Sequence, residues 1–261
     1  MTKSDSKPDE QQSPAYGSSL EGRVALVTGA AGGLGKSIVT ELRDRGANVY
    51  GVDVVGEDVF HADLSTASGN RDMVAHVVAT AGRLDILVLN AGCQFVAPLD
   101  QFPDAEWERL RAVMLDGPFA ALKAAWPTLI KSRGGRVVVT ASSASLGGAS
   151  KKAAYTAAKH GVLGLVRVAA LEGAAHGLTV NAIAPGWMDT GMMRGQLEAQ
   201  AASRAISVDE VIELFRASQP GNRFVEVREV AATIAFLVSP AASGINGVCL
   251  PIDLGANAGA R

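Results

Sequence analysis

From residue 23 onward, compact runs that are apolar at nearly every position alternate with longer stretches of helical spacing. The runs are "RVALVT", "ANVYGVD", "LDILVLN", "GGRVVVTAS", "LTVNAIAP" and "GVCLPID", with a weaker "DVFHAD" after the second. A strand apolar on both faces has to be covered on both, and helices between strands supply that cover in a parallel sheet. The intervening helices read as "GKSIVTELRDRG", "NRDMVAHVVATAG", a segment from Asp104 toward Ile130, "KKAAYTAAKHGVLGLVRVAALEGAAHG" and "VREVAATIAFLVS". Pro118 and Pro127 are expected to bend or divide the third of these. The fold class is therefore α/β, and ligands on such sheets bind at the carboxyl ends of the strands.

The chain has 261 residues, a length that suits one large domain at 21–261, and 48% hydrophobic composition, enough for a sizeable core. A net charge of −2 gives no basic surface for nucleic acid and no polybasic anchor for a membrane. No apolar run approaches the length of a membrane span. Cys93 and Cys249 cannot build a disulfide framework and read as reduced thiols of a cytoplasmic protein. The four histidines lie far apart, without metal-ligand spacing, so no metal is expected. Residues 1–20, polar and without the apolar centre of a signal peptide, read as a disordered tail.

Between the first strand and the first helix stands "TGAAGGLG". Gly29 can turn the chain sharply, Gly33 lets the backbone approach a pyrophosphate, and Gly35 allows close helix packing. The positive helix terminus then faces the phosphates. Asp53 ends the second strand, where a carboxylate accepts both hydroxyls of an adenosine ribose and repels a 2′-phosphate. That combination points to NAD rather than NADP.

"ASSASLGGASKKAAYTAAK" holds the chemistry. Tyr155 and Lys159 lie one helical turn apart on the same face. A phenol with a pKa of about 10 is a poor base at neutral pH. A nearby ammonium and a cationic coenzyme ring favour phenolate, so the expectation is a lowered Tyr155 pKa. Ser142, at a strand end, can hold the reacting oxygen.

With "NAG" at 90–92 and "PGWMDT" at 185–190, these residues closely resemble the short-chain dehydrogenase/reductase family over residues 22–254. The resemblance implies a single-domain Rossmann-type doubly wound fold with a seven-stranded parallel sheet, assembled as a homotetramer. It implies that Ser142, Tyr155 and Lys159 are catalytic. It places Asp63 beside the adenine, with Leu64 giving a backbone contact. Asn90 would lie along the ribose and Thr190 near the carboxamide, with Leu34 and Pro185 also against the coenzyme. Many members carry an asparagine where this chain has Met114, which cannot donate a hydrogen bond. Asp116 lies on a different face and is a poor substitute.

Within the family the sequence is most similar to D-3-hydroxybutyrate dehydrogenases, through Gln94, Lys152, Trp187 and Gln196. The resemblance implies that the glutamines and the lysine hold a substrate carboxylate while the tryptophan helps to close the pocket. Where those enzymes place a histidine and a tryptophan, this chain has Ala144 and Asn257, so a bulkier substrate is an alternative. Lys152 and Gln196 could equally be solvated surface residues. Residues 188–220 form the expected substrate lid, with capping-box spacing at Ser207 and Glu210. The function expected is NAD-dependent interconversion of a secondary alcohol and a ketone, with a 3-hydroxy acid as the small-molecule substrate. The alternatives are a ketone reductase of specialised metabolism and a catalytically idle NAD-binding protein.

Overall fold

The computed structural model describes residues 18–132 and 134–259. Seven strands form one sheet: β1 (Val24–Thr28), β2 (Asn48–Asp53), β3 (Phe60–His61), β4 (Ile86–Leu89), β5 (Arg136–Thr140), β6 (Thr179–Pro185) and β7 (Cys249–Ile252). All pairs are parallel, in the order β3-β2-β1-β4-β5-β6-β7. The order reverses between β1 and β4, so a crevice opens beyond Thr28 and Leu89.

Side-chain alternation divides the core into two layers. Leu26, Leu87, Val137 and Val139 face α2 (Ala67–Ala81), α4 (Gly117–Leu129) and α5 (Ala153–Gly173). Ala25, Val27, Ile86 and Val138 face α1 (Gly33–Asp44) and α9 (Val227–Leu237). This is why the strand segments read as apolar on every residue.

Three boundaries depart from expectation. Leu20 is 1% exposed, packs in the second layer and donates its N–H to the Arg45 carbonyl at 2.8 Å. The expected tail therefore stops short of residue 20; residues 1–17 lie outside the described residues. Helix α2 begins three residues before "NRDMVAHVVATAG", because Thr66 caps it by accepting the Gly69 N–H at 3.0 Å.

The segment from Asp104 is divided, as the prolines suggested, but at neither ring. Helix α3 (Asp104–Arg111) passes through a π turn at Ala112–Asp116 into α4. Pro118 cannot supply the N–H that a regular helix aims at the carbonyl four residues back, that of Met114. The chain widens instead, and Gly117 donates to the Ala112 carbonyl. Pro127 is carried inside α4.

Between β6 and α9 lie α6 (Gly191–Arg194), α7 (Leu197–Arg204) and α8 (Val208–Ala217). Ser207 and Glu210 form a reciprocal capping box at the start of α8. Met193, Leu197, Ala201, Val211 and Phe215 give this segment a small core of its own.

Candidate active site

The turn after β1 is shaped by two steric demands. Gly29 adopts φ +68°, and a Cβ there would lie 2.9 Å from the Ala91 Cα. A Cβ on Gly35 would lie 1.9 Å from the Gly29 carbonyl oxygen. Helix α1 therefore starts against the turn itself, with no acidic residue in its first turn to oppose an incoming phosphate. Leu34 is buried beneath it. Across the turn, Thr190 brings its Cγ2 to 3.6 Å from the position a Gly33 Cβ would take. The Thr190 hydroxyl is not spent on capping α6, and Pro185 closes β6 beside it.

At the end of β2 the Asp53 carboxylate accepts the N–H groups of Ala31 at 3.0 Å and Val54 at 2.7 Å. It stands at the edge of the glycine turn. This small-residue cradle, helix terminus and carboxylate fit a dinucleotide. Other expected contacts are engaged within the protein. Asp63 accepts the Ser65 N–H and hydroxyl at 2.9 and 2.7 Å, which lowers its pKa. Leu64 is buried, and its carbonyl accepts from Asn70 at 2.9 Å. The Asn90 amide donates to the carbonyls of Thr28 at 3.1 Å and Gly29 at 3.4 Å, while its oxygen accepts from the Thr140 hydroxyl at 3.3 Å. Asn90 is thus a strut between three strand ends rather than a side chain turned outward along the crevice.

Ser142 follows β5 and caps a single 3-10 turn, accepting the Ala144 N–H at 3.1 Å. Its side chain is hydrogen-bonded to Tyr155. Lys159, 4% exposed, donates to the Thr140 carbonyl at 2.6 Å and lies 5.8 Å from the Tyr155 ring centroid. The three expected catalytic side chains are therefore gathered at the ends of β5 and the start of α5.

Their electrostatics differ from the expectation. The Tyr155 ring keeps some solvent contact over its surface, yet burial of the phenol raises its pKa, with the Ser142 hydrogen bond acting in the opposite direction. Burial also lowers the Lys159 pKa to about 8. The ammonium is aimed at a backbone carbonyl, and its charge does not offset the desolvation of the phenol.

Met114 is 1% exposed and packs with Leu110, Ala154 and Ala158, with Cys93 and Tyr155 against the same cluster. The thiol of Cys93 is pushed up by burial. Asp116 pairs with Arg111 at 3.6 Å on the exposed side. It does not replace the missing asparagine.

At the substrate end, Lys152 and Gln196 are each 7% exposed, which overturns the solvated-surface alternative. The Lys152 Nζ lies 4.4 Å from the Trp187 ring, which stacks on Phe215 at 3.7 Å. Burial, helped by Arg204, lowers the Lys152 pKa to about 8. Gln196 donates to the Met192 carbonyl at 3.3 Å, and its Oε1 is buried without a partner. Gln94 is half-buried, and its Oε1 accepts the Phe95 N–H at 3.0 Å. Asn257 is folded back on Asp253 by two hydrogen bonds.

Sequence reasoning missed Gln200 and Arg204. Gln200 is 3% exposed, and its Oε1 accepts from Arg204 at 3.2 Å. The signal was available: Gln196, Gln200 and Arg204 recur every four residues along one helical face. Among the described residues no group of three or more metal-ligating side chains occurs, and no helix is long and apolar enough to cross a membrane.

Residues 29–257 match a family model described as enoyl-(acyl carrier protein) reductase. The chain belongs to the short-chain dehydrogenase/reductase family, an oxidoreductase class acting on CH–OH groups with NAD or NADP. It is 41% identical over 250 residues to the uncharacterized oxidoreductase YxjF of Bacillus subtilis, covering 89% of this chain and 97% of that protein. It is 36% identical over 253 residues to the D-beta-hydroxybutyrate dehydrogenase of Cupriavidus necator, covering 90% and 98%. The crystal structure of levodione reductase superposes with a TM-score of 0.87 at 32% identity, covering 91% and 98%.

Proposed function

We propose that this enzyme oxidises a 3-hydroxy acid with NAD, interconverting it with the 3-oxo acid. The observation that carries the substrate is the burial of the Lys152 cation against Trp187, three residues before Tyr155 at the start of α5, with the orphaned Gln196 carbonyl a second buried polar group in the same chain. A buried cation without a carboxylate partner among the described residues suits an anionic ligand. What supports NAD is Asp53, whose charge at the turn disfavours a 2′-phosphate.

A nicotinamide coenzyme held by the glycine turn, Asp53 and Thr190 would supply the hydride acceptor for the alcohol carbon. Ser142 holds the reacting oxygen, and Tyr155 takes the hydroxyl proton. Lys159 fixes the geometry through Thr140, and its charge stabilises the phenolate that takes the proton. Met114 contributes no polar group, so the proton taken by Tyr155 is released to solvent along backbone and water.

Homotetramer assembly in the cytoplasm completes the reading. It is supported by apolar side chains left outside the core, such as Phe119, Leu171 and Phe236, and by the free thiols of Cys93 and Cys249.

The test is coenzyme reduction by the purified enzyme with 3-hydroxybutyrate, longer 3-hydroxy acids and neutral cyclic alcohols, using NAD and NADP in parallel. The expected result is turnover of the acids with NAD, lost by at least about a thousandfold in Tyr155→Phe. Turnover of neutral alcohols alone refutes the acid assignment, and preference for NADP refutes the coenzyme assignment. Coenzyme binding with no turnover on any substrate marks an idle protein.

A further inference from the structure

We propose that the substrate carries two anionic groups, the second being a carboxylate received by Arg204 at the mouth of the site. The proposal rests on the hydroxy-acid reading above and narrows it to hydroxy-dicarboxylates.

Four observations carry it. Gln196, which precedes α7, and Gln200 and Arg204 within it are spaced four residues apart, and the two glutamines are buried. Lys151 donates to the Ser203 carbonyl at 3.0 Å, so the end of α7 is tied to the residue beside Lys152. Lys152 and Arg204 then repel one another, and among the described residues neither has a carboxylate partner. Arg204 uses its Nε on Gln200, which orients the guanidinium while leaving its outer edge for another acceptor.

Two like charges held together without a counter-ion are unfavourable until an anion arrives. They also stand at two depths. Lys152 is buried against Trp187, whereas Arg204 is exposed at the end of α7. One carboxylate on Lys152 leaves the arginine unmatched. A second, farther along the substrate, meets a planar fork suited to bidentate pairing. The shift of Lys152 agrees with this arrangement but does not decide it.

The experiment compares kcat/KM for 3-hydroxybutyrate and for its diacid counterpart 3-hydroxyglutarate, following NADH formation in wild type, Arg204→Leu and Arg204→Lys. Thermal melting checks that each variant is folded. The wild type is expected to favour the diacid by about tenfold or more, a typical worth of one charge-assisted pair. That ratio should collapse toward one in Arg204→Leu and recover in part in Arg204→Lys. Turnover of the monoacid with no preference for the diacid overturns this proposal and leaves the hydroxy-acid reading standing. Equal losses on both substrates in Arg204→Leu also overturn it, because a single shared carboxylate would produce them. Turnover of neutral alcohols alone removes the hydroxy-acid reading as well.

Discussion

Replacing Lys152 with methionine should make the unliganded protein more stable and a worse enzyme toward acids. The lysine is 7% exposed and its pKa falls from 10.5 to about 8. At about 1.4 kcal/mol per pH unit, that drop corresponds to about 3 kcal/mol of burial cost at pH 7. The cation over Trp187 returns about 1 kcal/mol of this, so Lys152→Met should gain about 2 kcal/mol. For a chain of this size the gain is a Tm increase of about 5 °C.

The pH dependence supplies the decisive comparison. Below about pH 8 Lys152 is charged in both native and unfolded chains, and the full cost applies. Between about 8 and 10.5 the native chain has released a proton that the unfolded chain still holds, so wild-type stability rises. The advantage of the variant should therefore shrink through that window and vanish above it. Calorimetry of both proteins at pH 7 and pH 10.5, without ligand, reads this directly. Equal melting temperatures at pH 7, or a gain undiminished at pH 10.5, would refute the buried-charge argument.

Further perturbations test other parts of the site. Ser142→Ala removes the hydrogen bond that lowers the Tyr155 pKa, so the rise of alcohol oxidation with pH should move to higher pH. The rate at neutral pH should also fall by about a hundredfold or more, read from full pH–rate profiles. Gly35→Ala sets a Cβ against the Gly29 carbonyl and should cost about 2 kcal/mol or more through overpacking, with NADH binding lost in a fluorescence titration. Unchanged NADH affinity in that variant would show that the turn is not the coenzyme cradle.

The sheet was legible because each strand carries its burial in its own residues: "VALVT" and "RVVVT" are covered from both sides and contain little that water would favour. The capping box at Ser207 was legible for the same local reason. Position and protonation were not. The sequence left Lys152 open between a pocket residue and a solvated one, and the packing of Trp187 against it makes it a buried cation. The direction of the Tyr155 shift was missed because spacing reveals the neighbouring ammonium but not how completely the phenol is desolvated. The division at Ala112–Asp116 was legible in Pro118, whereas Pro127 is carried inside α4 without dividing it. Leu20 was assigned to the tail because a lone leucine in polar surroundings gives no sign of the groove it fills.

The Asn90 strut has a mechanical consequence. One carboxamide clasps the backbone of the glycine turn on one side and Thr140 on the other, and Thr140 in turn holds the Lys159 ammonium. The glycine turn and the carbonyl that anchors Lys159 thus hang on one carboxamide, and a substitution at Asn90 frees the backbone at both places at once.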